Sequence, residues 1–443
     1  MLIIENIHVL DPESGLDEVL DIAILEGRID KIGKSVRDYY ENEITAGKVQ
    51  FIDGSGLYAA PGLVDVHVHF RDPGFEYKED ILSGAAAAKA GGYTSVVCMA
   101  NTKPAADSTQ VLDYVRDRAA DTGINIYQAA AITKGLKGKE LTDMQTLLDR
   151  GAPGFTDDGI PILDEELVKA AMKFSAENLV PLSFHEEDPA YIENNGVNHG
   201  RASEYFGIGG SDRRAEISLI ERDLRLARQM GAVINIQHIS SKEGVELVRR
   251  AVEEERKNGS QRRIHAEACP HHFTLTEEAV IEKGTLAKMN PPLREEEDRR
   301  AICRGLKDGT IDIIATDHAP HSIEEKARPL TEAPSGIIGL ETALALGITE
   351  LVEPGILTLM ELLEKMTINP ARLYGLEAGF IREGGPADLV LFSGEKTWRV
   401  PEKFSSKAVN SPFIGESLKG RVLMTICGGR IVYDCRREYE VEK

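Results

Sequence analysis

From Leu63 to Asp317 the chain repeats one texture eight times, a short apolar run followed by a longer segment whose apolar positions recur at helical spacing. The runs are Leu63–His69, Thr94–Met99, Asn125–Ile132, Gly154–Asp157, Val180–His185, Val233–His238, Ile264–Ala268 and Ile311–Asp317. Helix-patterned stretches between them include Glu79–Ala90, Val111–Ala120, Glu165–Glu177, Ala215–Met230 and Gly244–Lys257. Such alternation is the pattern of βα units on a parallel sheet. Eight units over roughly 260 residues is the expected size of a (β/α)8 barrel. The expected fold is therefore α/β, a TIM-type barrel, and 443 residues leave room for an accessory module.

The two ends read differently from the middle. Leu2–Leu10, Asp21–Leu25 and Arg28–Ile32 are short strand-like runs, the last two joined at Glu26-Gly27. After a last helical region at Thr358–Tyr374, strand-like runs return at Ala387–Phe392 and Leu423–Cys427, and Gly428-Gly429 turns the chain into Arg430–Tyr433. The expected organisation is a barrel over residues 59–374, with residues 1–58 and 375–443 combining into one small β domain. The charge runs at Glu253–Arg256 and Glu295–Arg300 are read as solvated helix faces.

With 52 Lys and Arg against 73 Asp and Glu, the net charge of −21 argues against a nucleic-acid partner, which requires a basic surface. An anionic small molecule remains compatible, because metals and one arginine can dominate the field inside a pocket. The start, Met1-Leu2-Ile3-Ile4-Glu5-Asn6, lacks the basic region of a signal peptide, and no run approaches ~18 consecutive apolar residues. Five scattered cysteines with no Cys-x-x-Cys read as reduced thiols, so the expected setting is cytoplasmic, without a membrane.

Metal-capable residues fall where these runs end, the face on which barrel active sites lie. His67 and His69 close the first run, two imidazoles about 7 Å apart on one face of a strand and able to converge on one ion. Asp157-Asp158 close the fourth run, His185 the fifth, His238 the sixth and Asp317 the eighth. Four imidazoles and two carboxylates exceed the needs of one catalytic zinc, which takes three protein ligands. They suit two metals sharing a carboxylate and a water, an arrangement that lowers the pKa of the water. Imidazole-rich ligation points to zinc.

Pro61-Gly62-Leu63-Val64-Asp65-Val66-His67-Val68-His69-Phe70-Arg71, Asn101-Thr102-Lys103-Pro104, Pro270-His271-His272, Asn290-Pro291-Pro292-Leu293-Arg294 and Thr316-Asp317-His318-Ala319-Pro320-His321 resemble the amidohydrolase superfamily and, within it, the dihydroorotases. Many members bridge their metals with a carboxylated lysine on the fourth strand. This chain has Thr156-Asp157-Asp158-Gly159 there, similar to the bacterial subclass in which the second aspartate bridges.

The resemblance implies two zinc ions per subunit, one held by His67, His69 and Asp317, the other by His185 and His238, with Asp158 between them. It implies that Arg71, Asn101 and His321, beside His69, bind a substrate carboxylate, and that Asn290 and the backbone at Ser335-Gly336 meet a pyrimidine ring. Ser335 departs from the bulky aromatic usual in the family. His271 and His272 read as scaffold around the ligands. The implied reaction is reversible closure of N-carbamoyl-L-aspartate to dihydroorotate, the third step of pyrimidine synthesis, with Asp317 moving the proton. A homodimer, and aspartate transcarbamoylase as the candidate protein partner, belong to the same expectation. The competing readings are a hydantoinase or allantoinase, disfavoured by the missing lysine, and a catalytically silent scaffold, disfavoured by the complete ligand set. The segment His321–Gly336 is expected to act as a lid.

Overall fold

The computed structural model describes residues 1–435. Eight parallel strands follow the expected order: Leu63–Val68, Tyr93–Cys98, Asn125–Gln128, Phe155–Thr156, Leu182–Phe184, Ile234–Ile236, Ile264–Ala268 and Ile313–Ile314. The first three form one parallel group and the remaining five another. Two short bridges join the groups into a ring, Ala130 to Phe155 and Val68 to His318. At these seams Thr156 N donates to Ala130 O at 2.9 Å and His69 N to His318 O at 2.9 Å. Six of the eight strands are shorter than their apolar runs, whose last residues continue past the pairing into the following loops. Leu63–Val68 is buried at every position, so it reads as a continuous apolar run rather than an alternating one.

Helices Ile81–Ala90, Thr109–Ala119, Glu165–Asn178, Arg214–Met230 and Lys242–Lys257 lie within two residues of their expected bounds. Their starts are set by polar side chains on otherwise unpaired backbone N–H groups. Asp80 accepts from Leu82 and Ser83, Asp164 from Glu166 and Leu167, and Ser241 from Gly244. The run Glu253–Arg256 lies on Lys242–Lys257, which buries only an apolar stripe. In the run on Glu296–Asp308 the expected solvated face is broken by Asp298, buried and accepting from Lys242 N at 2.8 Å and Arg213 Nη2 at 3.1 Å.

Strands from both ends make a single eight-stranded sheet. Tyr58–Pro61 pairs antiparallel with Leu389–Arg399, placing Pro61 opposite Leu389 and Tyr58 opposite Phe392. Residues 59–61, expected at the start of the barrel, therefore belong to the terminal sheet, and the chain passes from that sheet to the barrel at Gly62. Gly62 N donates to Asp388 O at 2.9 Å, and a Cβ there would stand 2.1 Å from Thr94 Oγ1, so only glycine fits. Ile4, Ile7, Ile22, Ile24, Leu389, Leu391 and Ile426 form this sheet's core. No helix among the described residues is long and apolar enough to cross a membrane.

A candidate two-metal active site

Asp158 stands at the centre of the expected ligand set. Its carboxylate lies 3.3 Å from His67 Nε2, 3.4 Å from His69 Nε2, and 3.7 Å from both His185 Nδ1 and His238 Nε2. Asp317 Oδ1 lies 3.0 Å from His69 Nε2 and 3.5 Å from His67 Nε2. Three triads, His67/His69/Asp158, His67/His238/Asp317 and Asp158/His185/His238, each bring one ligand atom per residue within 4.8 Å of the others. All six residues are buried. His67 Nε2 and Asp158 Oδ1, which face each other, lack hydrogen-bond partners although shut away from water. Unpartnered buried atoms of metal-ligand type facing one point fit a divalent metal centre.

Electrostatics point the same way. Burial opposes charge on His67, yet Asp158, Asp317 and Glu267 hold its pKa well above the usual imidazole value. Burial likewise opposes ionisation of Asp158 and Asp317, and the surrounding imidazoles keep both carboxyls below the ordinary range. The cluster thus carries an excess of negative charge that protons on histidine or metal cations can neutralise.

The backbone is bent to aim these side chains. Arg71, His238 and Asp317 adopt φ of 61°, 32° and 48°, a left-handed region that costs non-glycine residues energy and concentrates at functional sites. Asp65 accepts from His67 N, Thr316 N and Thr316 Oγ1, so one buried carboxylate fixes the backbone at His67 and at the residue before Asp317 across the closing seam. Asp157 turns away from the centre and accepts from Ile132 N at 2.8 Å, Thr133 N at 3.0 Å and Thr133 Oγ1, so of the adjacent pair Asp157 is a brace and Asp158 alone faces the imidazoles.

Two glutamates that sequence reading missed orient the imidazoles. Glu267 Oε2 accepts from His67 Nδ1 at 3.0 Å, and Glu187 Oε2 accepts from His185 Nε2 at 3.1 Å. Each fixes the tautomer whose other nitrogen faces the centre, the usual carboxylate–histidine–metal arrangement. The signal was weak: Glu187 stands two residues after His185, and Glu267 ends no run.

The expected substrate residues gather on one side. Arg71 Nη2 lies 3.5 Å from His321 Nε2, and Arg71 Nε donates to Pro320 O at 3.3 Å. Asn101 is engaged with the ligands, its Oδ1 2.9 Å from His69 Nδ1 and its Nδ2 donating to Asp158 Oδ2 at 3.1 Å. Asn290 Nδ2 lies 3.2 Å from His185 Nε2. His321 Nε2 donates to Ser335 O at 2.8 Å, and burial with Arg71, Lys78 and Lys326 nearby lowers its pKa to about 2, so it is neutral. Ser335 points its hydroxyl to Asn195 Oδ1 at 2.8 Å, and Gly336, at φ 124°, would bring a Cβ within 2.7 Å of the Ala319 side chain.

The segment His321–Gly336 is braced on several sides. It contains the helix Ile323–Lys326, and Lys326 Nζ donates to Pro334 O and Gly336 O, while Lys288 Nζ donates to Leu330 O and Ala333 O. Asn410, from the distant C-terminal part of the chain, accepts from His321 N at 3.1 Å and donates to Ala319 O and Gly336 O at 3.1 and 3.0 Å. No sequence signal pointed to Asn410.

Comparison with known proteins agrees with this picture. The family described as "Dihydro-orotase-like" matches residues 56–244. The chain is 55% identical to a protein named dihydroorotase from Clostridioides difficile and 49% identical to one from Streptococcus pneumoniae, in each case over 98% of this chain and 100% of the relative. In fold it resembles the L-hydantoinase of Arthrobacter aurescens, with a TM-score of 0.84 over 98% of this chain and 96% of that one, at 24% identity. The D-hydantoinase of a Thermus species aligns with a TM-score of 0.81 over 97% of this chain and 95% of that one, at 21% identity. From the full-length identity to these relatives, the chain belongs to the dihydroorotase family of metal-dependent cyclic amidohydrolases.

Proposed function

We propose that this chain is a dihydroorotase, closing N-carbamoyl-L-aspartate to dihydroorotate and water and running the reverse hydrolysis, within pyrimidine synthesis. The observation that carries the reading is the convergence of four imidazoles on Asp158, in a chain 55% identical over 98% of its length to a protein of that name. The fourth strand ends in Thr156-Asp157-Asp158, with no lysine to be carboxylated.

His67, His69 and Asp317 would hold one metal and His185 and His238 the other, with Asp158 shared. We assign two zinc ions on the strength of the imidazole-rich donor set. When bound, such a pair lowers the pKa of a water towards neutrality and polarises the scissile carbonyl. The chain's own residues bind, orient and move a proton. In hydrolysis the Asp317 carboxylate takes a proton from the attacking water and delivers it to the ring nitrogen as the amide bond breaks. In synthesis it takes that proton from the ureido nitrogen and returns it to the departing water. The Arg71 guanidinium presents a fork to the substrate carboxylate, with Asn101, His321 and His69 beside it. Asn290 and the Ser335-Gly336 backbone border the ring. A homodimeric assembly, with aspartate transcarbamoylase as the candidate partner, completes the proposal.

Arg71 provides the test. Removing one partner of a buried charge pair costs on the order of 2–5 kcal/mol, a loss of roughly 30-fold or more. Arg71→Met is expected to lower kcat/KM for dihydroorotate by that amount while sparing dihydrouracil, which has no carboxylate. Equal losses on the two substrates would remove Arg71 from substrate choice and turn the reading towards a hydantoinase.

A further inference from the structure

We propose that Cys269, His271 and His272 form a separate binding site for one thiophilic metal ion, outside the two-metal centre. The residues follow the seventh barrel strand, where Cys269 precedes the short helix Pro270–Thr274 and the turn brings the two rings to centroids 4.3 Å apart. One ligand atom from each of the three lies within 4.8 Å of the others. Among the described residues there are four groups of this kind, and this is the one that shares no member with the other three.

Burial and unmet hydrogen bonding add an independent observation. Cys269, His271 and His272 are 0%, 2% and 3% exposed. His272 Nε2 donates to Pro291 O at 3.0 Å, which fixes the ring's tautomer and leaves Nδ1 as a bare acceptor. That Nδ1 and His271 Nε2 are both without a hydrogen-bond partner. Buried polar atoms without partners are uncommon in folded proteins and call for an unseen ligand.

One thiolate and two neutral imidazoles select zinc, cobalt or cuprous ion over magnesium or calcium. Binding replaces the thiol proton, which leaves to solvent, by the metal–sulfur bond, with no change of oxidation state. The ion would tie the end of the seventh strand to the segment starting at Asn290-Pro291, through the His272 contact. Its place is structural, and it stands whether or not the dihydroorotase reading does.

The experiment loads metal-free, reduced enzyme with cobalt(II) under nitrogen and records the near-ultraviolet spectrum beside metal content by mass spectrometry. The two-metal centre offers nitrogen and oxygen donors alone, so a thiolate-to-cobalt charge-transfer band can arise only at a cysteine site. Wild type is expected to show that band and to hold one more ion per chain than Cys269→Ala. Cys269→Ser, which keeps the side-chain volume, is expected to lose the band as well, and both variants should turn over dihydroorotate as wild type does. A cobalt-saturated wild type without the band, or equal metal content in wild type and both variants, would overturn the proposal.

Discussion

Asp157 and Asp158 are adjacent and carry the same functional group, yet their surroundings give them opposite tasks. Asp157 is occupied by two backbone N–H groups and a hydroxyl, whereas Asp158 faces four imidazoles. Asp158→Ala is therefore expected to lower occupancy at both metal positions together, as read by metal content per chain. Asp157→Ala should keep its metals and lose stability by about 1–3 kcal/mol, because it strands buried N–H donors. An Asp158 variant retaining full metal would mean that the centre is not built around it. The cluster of imidazoles and carboxylates was legible because His, Asp and strand ends are local signals. Their orienting partners were not, since Glu267 meets His67 from 200 positions away and no periodicity encodes that contact.

At the scale of elements, the barrel was legible through the spacing of its apolar runs, and the helices through their apolar stripes. What pattern could not supply was the closure of the ring, made by single bridges rather than extended strands. Nor could it show how the substrate side is held. The stretch containing Asn410 lies between the strands Leu389–Arg399 and Ser417–Cys427 of the terminal sheet, and that one amide braces both His321 and Gly336. We expect Asn410→Ala to raise KM for dihydroorotate about tenfold, equivalent to 1.4 kcal/mol, with kcat changed less. A variant with unchanged KM and a lowered kcat would place the brace on the proton-transfer side instead.

For the molecule as a whole, composition set limits rather than identities. A net charge of −21 argued against a nucleic-acid partner but said nothing of the cationic corner where Arg71, Lys78 and Lys326 surround a neutral His321. Lys78 is itself neutralised by Glu325 at 2.9 Å, which leaves Arg71 as the group best placed to meet an anion. The joining of both ends into one sheet was anticipated from their strand-like texture, but the register of Tyr58–Pro61 against Leu389–Phe392 emerged only in three dimensions.

That pairing also dictates an order of events on the ribosome. Pro61 meets Leu389, so roughly 330 residues must be synthesised between the two halves of the contact. At about 5–20 residues per second the early strand waits on the order of tens of seconds with one edge open. A nascent chain halted before Leu389 should thus expose its first sixty residues to protease while the full-length chain resists. Equal resistance of the two would show that the opening strands find shelter before their partner is made.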